Sequence, residues 1–365
     1  MRNAAAVLAL LLLGTPALAG GGRQERKSRP FQMGTTMFPH DMSLDGISSL
    51  LSFVKDHAEL VGRKLDDGIP WQEALDQTFY AEELEKRIAE DSQRPEGKLV
   101  FLATTPLHKE KEGLAGYYGT APGDPRAQGW AKKDLDDPDV MRAYLHWCRD
   151  LIRRFRPDYF AYAIEVNQLA EKNPAAWKKF PLFAREIYVS LKKENPTLPI
   201  FFTLSAETFH QNPSVQKKAI SQVAPFSDLA CVASLPFFAE PNPAKIPKDY
   251  FAKVAAALPG KPFAVAETSF LAEDIRFGEE FRPGKAPWQD DYLRFVLEEA
   301  ARLNGRFVVW TLPRDCDQLQ ARLGEDSREI AAFLGLFKDT GLLDGDGKPR
   351  KSFETWSKWL ALPKK

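Results

Sequence analysis

Apolar, β-branched or aromatic runs alternate with helical patterns along almost the whole chain, and no other feature narrows the possible folds as far. Eight such units can be counted. The runs are Phe31 to Pro39, the short Glu59 to Leu65, Lys98 to Pro106, Tyr159 to Asn167, Pro199 to Glu207, Leu229 to Phe237, Pro262 to Phe270 and Arg306 to Pro313. Helical patterns follow each run, with the clearest near Leu44 to His57, Trp71 to Asp91, Val140 to Phe155 and Ala175 to Glu194. Parallel strands joined by helices are buried on both faces, which is why the runs are nearly continuous in apolar residues. Eight units without interruption predict a closed single-domain (β/α)8 barrel, a TIM barrel, over residues 30–365. A doubly wound open sheet would usually carry a glycine fingerprint after its first strand, and Met33-Gly34-Thr35-Thr36-Met37 has none.

The first 19 residues read as a signal peptide: Arg2 precedes an apolar run from Ala4 to Leu13, and small residues end at Ala19. The run is shorter than the ~20 residues of a membrane span, and no cysteine follows it as a lipid anchor would need. Residues 20–29 are glycine-rich and polar, and are expected to be a flexible leader. The expectation is a secreted or periplasmic protein with no membrane attachment after processing. Fifty basic residues balance fifty acidic ones, so charge favours neither nucleic acid nor an anionic surface as partner. Cys148, Cys231 and Cys316 have no metal-type spacing and allow one disulfide at most. No cofactor and no metal are expected, and the protein is expected to be a monomer.

In such a barrel the working residues lie at the carboxyl ends of the strands. Those ends carry His40 and Asp41, Asp66 and Asp67, His108, Glu165 and Asn167, Glu207 and His210, Phe237 and Phe238, Glu267, and Trp310 with Arg314 and Asp315. Glu165 in YAIEVN and Glu267 in AVAETS stand out, because each interrupts an otherwise apolar run, where a carboxylate is costly unless used or paired. Two carboxyl groups across one pocket are what glycosidic bond cleavage needs, one giving a proton to the leaving oxygen and one acting as nucleophile or base. Separate ion pairs at the barrel mouth would explain the same residues without chemistry.

The sequence resembles the clan A glycoside hydrolase barrels, and within them the arabinogalactan endo-β-1,4-galactanases. The residues that carry the resemblance are Ala163-Ile164-Glu165-Val166-Asn167 on the fourth run and Ala266-Glu267-Thr268 on the seventh. The resemblance implies that Glu165 is the acid/base, Glu267 the nucleophile, and Trp310 an apolar floor for the sugar. Asn167, if on the same strand face as Glu165, could orient it or bind a hydroxyl. His40, Asp66, His108, Glu207 and Phe237 complete the expected carbohydrate-binding set. Two positions depart from the family: Ile164 stands where an asparagine is usual, and Ser234-Leu235-Pro236-Phe237 lacks the usual strand-six tyrosine.

The long loop from Leu107 to Asp136 holds Tyr117, Tyr118 and Trp130, which could stack on sugar or pin the loop. Asp66, Asp67 and Trp71 could line one end of a cleft, although Asp67-Gly68 followed by Pro70 also makes a turn and a helix start. Two alternatives remain open at this point. Zinc held by His40, His108 and His210 would make a metal-dependent hydrolase, and the two departures would suit a carbohydrate-binding barrel without catalysis.

Overall fold

The computed structural model describes residues 26–119, 125–277, 280–323 and 334–365. The predicted signal peptide and most of the leader lie outside the described residues. Eight parallel strands close into a barrel: β1 (Gln32–Thr36), β2 (Leu60–Leu65), β3 (Leu99–Thr104), β4 (Tyr159–Ala163), β5 (Ile200–Ser205), β6 (Ala230–Ser234), β7 (Phe263–Thr268) and β8 (Phe307–Trp310). Each pairs with its sequence neighbours, and β8 pairs with β1 to close the ring. All eight predicted runs therefore become strands, the short second one included.

Period-two alternation divides the core in two. Leu60, Phe101, Ala161, Phe201, Cys231, Ala264, Phe307 and Val309 point into the barrel, whereas Met33, Leu102, Phe160, Val232, Val265, Val308 and Trp310 pack against the helices. The amino-terminal end of the lumen is filled by aromatic rings, with Phe101 at 5.1 Å from Phe307 and 5.8 Å from Phe201. Further toward the carboxyl ends come Ala103 on β3, Ala161 on β4 and Ala266 on β7. Above this packed floor the inward positions pass from apolar to polar side chains at the carboxyl ends of the strands.

The helices begin where their sequence says they should. Ser43 accepts from the Gly46 amide to start Leu44–His57, and Asp137 accepts from the Asp139 amide ahead of Pro138–Phe155. At the amino-terminal end of the barrel Arg29 is only 2% exposed. Its guanidinium donates to Glu59 at 2.7 Å and to the carbonyls of Trp359 and Leu360, joining the two ends of the domain. Cys148, Cys231 and Cys316 are all buried and unbridged, so packing supplies what a disulfide does not.

Candidate active site

The strand periodicity is broken at two places in the barrel, and both lie under the two glutamates. The pairing of β4 with β5 shifts register between Ala161 and Ala163, and β7 shifts against both neighbours near Ala266 and Glu267. A bulge of this kind re-aims the side chains that follow it. It allows Ala266 and Glu267, consecutive in sequence, both to face the lumen, and it turns Ile164 into the barrel core.

The strand expected to reach Asn167 instead ends at Ala163, because Glu165 adopts a left-handed backbone with φ +51° and Asn167 opens a helix, Asn167–Lys172. Neighbouring strands hold this turn. The Glu165 amide donates to the Thr203 hydroxyl at 2.8 Å, and the Ile164 amide to the Thr105 hydroxyl at 3.3 Å. Gln168 Nε2 then donates to Glu165 Oε2 at 3.0 Å. Burial raises the Glu165 carboxyl to about 7, with help from Glu267 and Glu207 and against the pull of Lys111 and Lys64.

Glu267 forms an ion pair with Lys64, which alternation along β2 turns inward beside Gly62 and Leu60. Burial works against the Lys64 charge, but Glu267, Asp66 and Glu165 outweigh it and raise its pKa. Asp66 keeps an exposed face at the rim yet is walled in by the cleft. That enclosure, with Asp67 and Glu267, raises its carboxyl pKa, while Lys64 and Lys111 oppose the rise.

Glu207 sits in the first turn of the helix Ala206–Gln211, which Ser205 caps directly after β5. Its Oε1 accepts from the Ser234 hydroxyl at 2.6 Å and the Tyr250 hydroxyl at 3.0 Å. Burial pushes its carboxyl up in spite of those bonds. His210 holds Tyr250 in place, stacked 4.1 Å from its ring with Nε2 3.0 Å from the Tyr250 carbonyl. Tyr250 thus reaches the site from a helix and bonds Glu207, which does not supply the nucleophile contact expected of a strand-six tyrosine.

Glu165, Glu267, Glu207 and Asp66 therefore share one mouth, and the other expected binding residues do not join them. Trp310 is fully buried on the outer face of β8, because Val309 takes the inward position. Its indole donates to the Thr340 carbonyl at 2.9 Å, so it cannot floor a sugar site. Asn167 is buried too, and its amide is spent on the Ser205 backbone at 2.8 and 3.0 Å. Leaving the strand is what separates it from Glu165. Phe237 is buried against Phe270 and Phe238, and Phe238 has the more exposed ring. Two aromatics of the long loop are turned away, since Trp130 stacks on Trp71 at 5.5 Å and the Tyr117 hydroxyl meets Glu73, while Tyr118 is half-buried against the core.

The histidines are equally dispersed. His40 is buried beside Arg314, His108 is exposed and accepts from the Glu110 amide, and His210 belongs to Tyr250. Among the described residues, the one trio of metal-type side chains with ligand atoms within 4.8 Å is Glu273, Asp315 and Asp339. Arg350 already donates there, to Glu273 at 2.6 Å and Asp315 at 2.5 Å. The zinc alternative has no histidine site to stand on.

No protein-family model matches the sequence, and a sequence comparison with curated proteins also finds no match. Solved structures do match, at low identity. An exo-β-1,4-mannosidase from Opitutaceae bacterium strain TAV5 aligns over 91% of this chain at 15% identity with a TM-score of 0.60, and this chain spans 59% of its length. A GH5_18 protein from Streptomyces cattleya, solved with Manβ1-4GlcNAc, aligns over 92% of this chain and 83% of its own at 14% identity, TM-score 0.61. A GH53 catalytic domain from Ignisphaera aggregans aligns over 90% and 91% at 13% identity, TM-score 0.50. All three are glycoside hydrolases, and the GH53 domain, from the galactanase family, is one match among several. At such identities the likeness establishes the eight-strand barrel.

Proposed function

We propose that the protein is a secreted or periplasmic glycoside hydrolase that cleaves a β-linked glycan, with Glu165 as acid/base and Glu267 as nucleophile. The observation that carries this reading is a pair of carboxyl groups held differently at one mouth, one buried and bonded by Gln168 and one ion-paired to a lysine. Glu165, raised to about 7, keeps a proton to give near neutral pH, and Glu267 is ion-paired to Lys64. In the first step the Glu267 carboxylate bonds to the anomeric carbon as the leaving oxygen takes the Glu165 proton. In the second, Glu165 removes a proton from water, which attacks that carbon and frees Glu267, giving net retention. Lys64 bonds Oε2 of Glu267, so Oε1 is the oxygen available for attack. The β-linked sugars named for the matched structures are consistent with such a substrate.

Purified mature protein given a panel of β-linked glycans and aryl β-glycosides tests this. Glu267→Ala is expected to abolish turnover, and Glu165→Gln to slow substrates with poor leaving groups most, since only those need the proton. Activity unchanged in both variants would end the reading. A second reading, a carbohydrate-binding barrel without catalysis, is favoured by one observation: Ile164 faces the apolar lumen where the resembled family has an asparagine. Binding that survives Glu267→Ala, with no turnover by the unsubstituted protein, would select it.

A further inference from the structure

We propose that Lys111 gives the mouth its specificity, by receiving the carboxylate of an acidic sugar, so that the substrate is a glycan containing uronic acid. The inference rests on the hydrolase reading for the location of the sugar, and on Lys111 for its charge. Lys111 lies in the loop after β3 and is only 6% exposed. Among the described residues its side chain makes no hydrogen bond and no ion pair within 4 Å, although Glu165, Asp66 and Lys64 all lie in its electrostatic reach.

The stem of Lys111 is buried while its ammonium tip still reaches solvent, so the charge is offered to the mouth without a protein partner. The groups that could neutralise Lys111 are otherwise occupied. Glu165 takes its hydrogen bond from Gln168, and Asp66 feels Lys64 more strongly than Lys111. Lys64, the other lysine of the mouth, is committed to Glu267. Burial lowers the Lys111 pKa and the acids around it only partly restore it, so the cation stands under-compensated until an anion arrives.

The backbone points the same way. Lys111 has φ +58°, a left-handed conformation closed by its amide donating to the His108 carbonyl at 2.7 Å. Glycine would hold that turn with less strain, so the side chain is what the position retains. A compact ammonium with three donors suits a single carboxylate.

Matched pairs provide the test: aryl β-glucuronide against β-glucoside, aryl β-galacturonide against β-galactoside, and uronic against neutral oligosaccharides in a binding assay. The full chain is expected to prefer the acidic member of at least one pair by about 10- to 100-fold, the range of a charge-assisted bond, and less as salt rises. Lys111→Met and Lys111→Gln should erase the preference without lowering the melting temperature, and Lys111→Arg should keep part of it. Equal or better handling of every neutral member overturns the proposal, as does the absence of any acidic glycan binding. Glu267-dependent cleavage of neutral glycans alone would sink the uronic acid inference and leave the hydrolase reading standing. Preferential binding of acidic glycans without cleavage would do the reverse.

Discussion

Glu165→Gln exchanges a carboxyl that resists ionisation for an amide of nearly the same size. The carboxyl ionises near 4.5 in an unfolded chain and at about 7 in the folded mouth. Between those values the native protein holds a proton that the unfolded chain has released, so this group makes stability fall as pH rises through the window. The gap of about 2.5 pH units, at about 1.4 kcal/mol each, is about 3 kcal/mol. Partial exposure of the side chain to solvent brings the expectation nearer 2 kcal/mol. Urea unfolding of both proteins, followed by tryptophan fluorescence at pH 4.5, 6, 7 and 8, measures it. Subtracting one curve from the other cancels what the two share, including Asp315, whose buried carboxyl is also raised to about 7. The variant should gain on the parent between pH 4.5 and 7 and hold its advantage above that. A difference that stays constant across the series would refute the raised Glu165 pKa, and with it the acid assigned to the reaction.

Other outcomes follow from the same geometry. Trp310→Phe is expected to cost about 1–2 kcal/mol of stability through a small cavity and an orphaned Thr340 carbonyl, while KM for any glycan stays within twofold; a large KM effect would return Trp310 to the sugar site. Arg29→Met should cost about 3 kcal/mol, because it strips partners from Glu59 and two carbonyls where the ends of the domain meet, and calorimetry would show an unaltered melting temperature if the junction were dispensable. Tyr250→Phe should shift the Glu207 carboxyl further upward, readable as a moved pH profile if Glu207 touches the reaction.

The fold and its two principal carboxylates could be read from the chain because both depend on contrast within a strand. An eightfold alternation of apolar runs leaves few architectures, and a glutamate inside such a run is conspicuous. Trp310 shows where contrast misleads. Its type suggests a sugar platform, but counting by twos from Phe307 sends it outward and Val309 inward. The same count along β2 selects Lys64 over Arg63, and would have exposed the ion pair to Glu267. Asn167 defeats the count, since it presumes a strand that Glu165 has already left. Lys111, Gln168 and Tyr250 sit in a loop or on helices where no period marks them. Only closure of the barrel brings them to the mouth.

Backbone strain separates the working turns from the structural ones. Among the described residues, five non-glycine positions have positive φ: Gln77, Lys111, Arg156, Glu165 and Asn304. Gln77 and Arg156 are helix C-caps, and Asn304 lies just past the end of another helix, so left-handed geometry there terminates a helix and asks nothing of the side chain. Lys111 and Glu165 cap no helix, yet both carry titratable side chains within electrostatic reach of each other at the same mouth. Arg156→Gly should therefore stabilise the protein by about 0.5–1 kcal/mol at no cost to activity, since glycine relieves the αL strain of about 1–2 kcal/mol and gives part of it back in unfolded-state entropy. Glycine at 111 relieves the same strain, but it removes the ammonium that the strain positions. A gain in stability at both sites, with glycan selectivity lost at 111 and kept at 156, is the pattern that distinguishes a turn held for its side chain from one held for its shape.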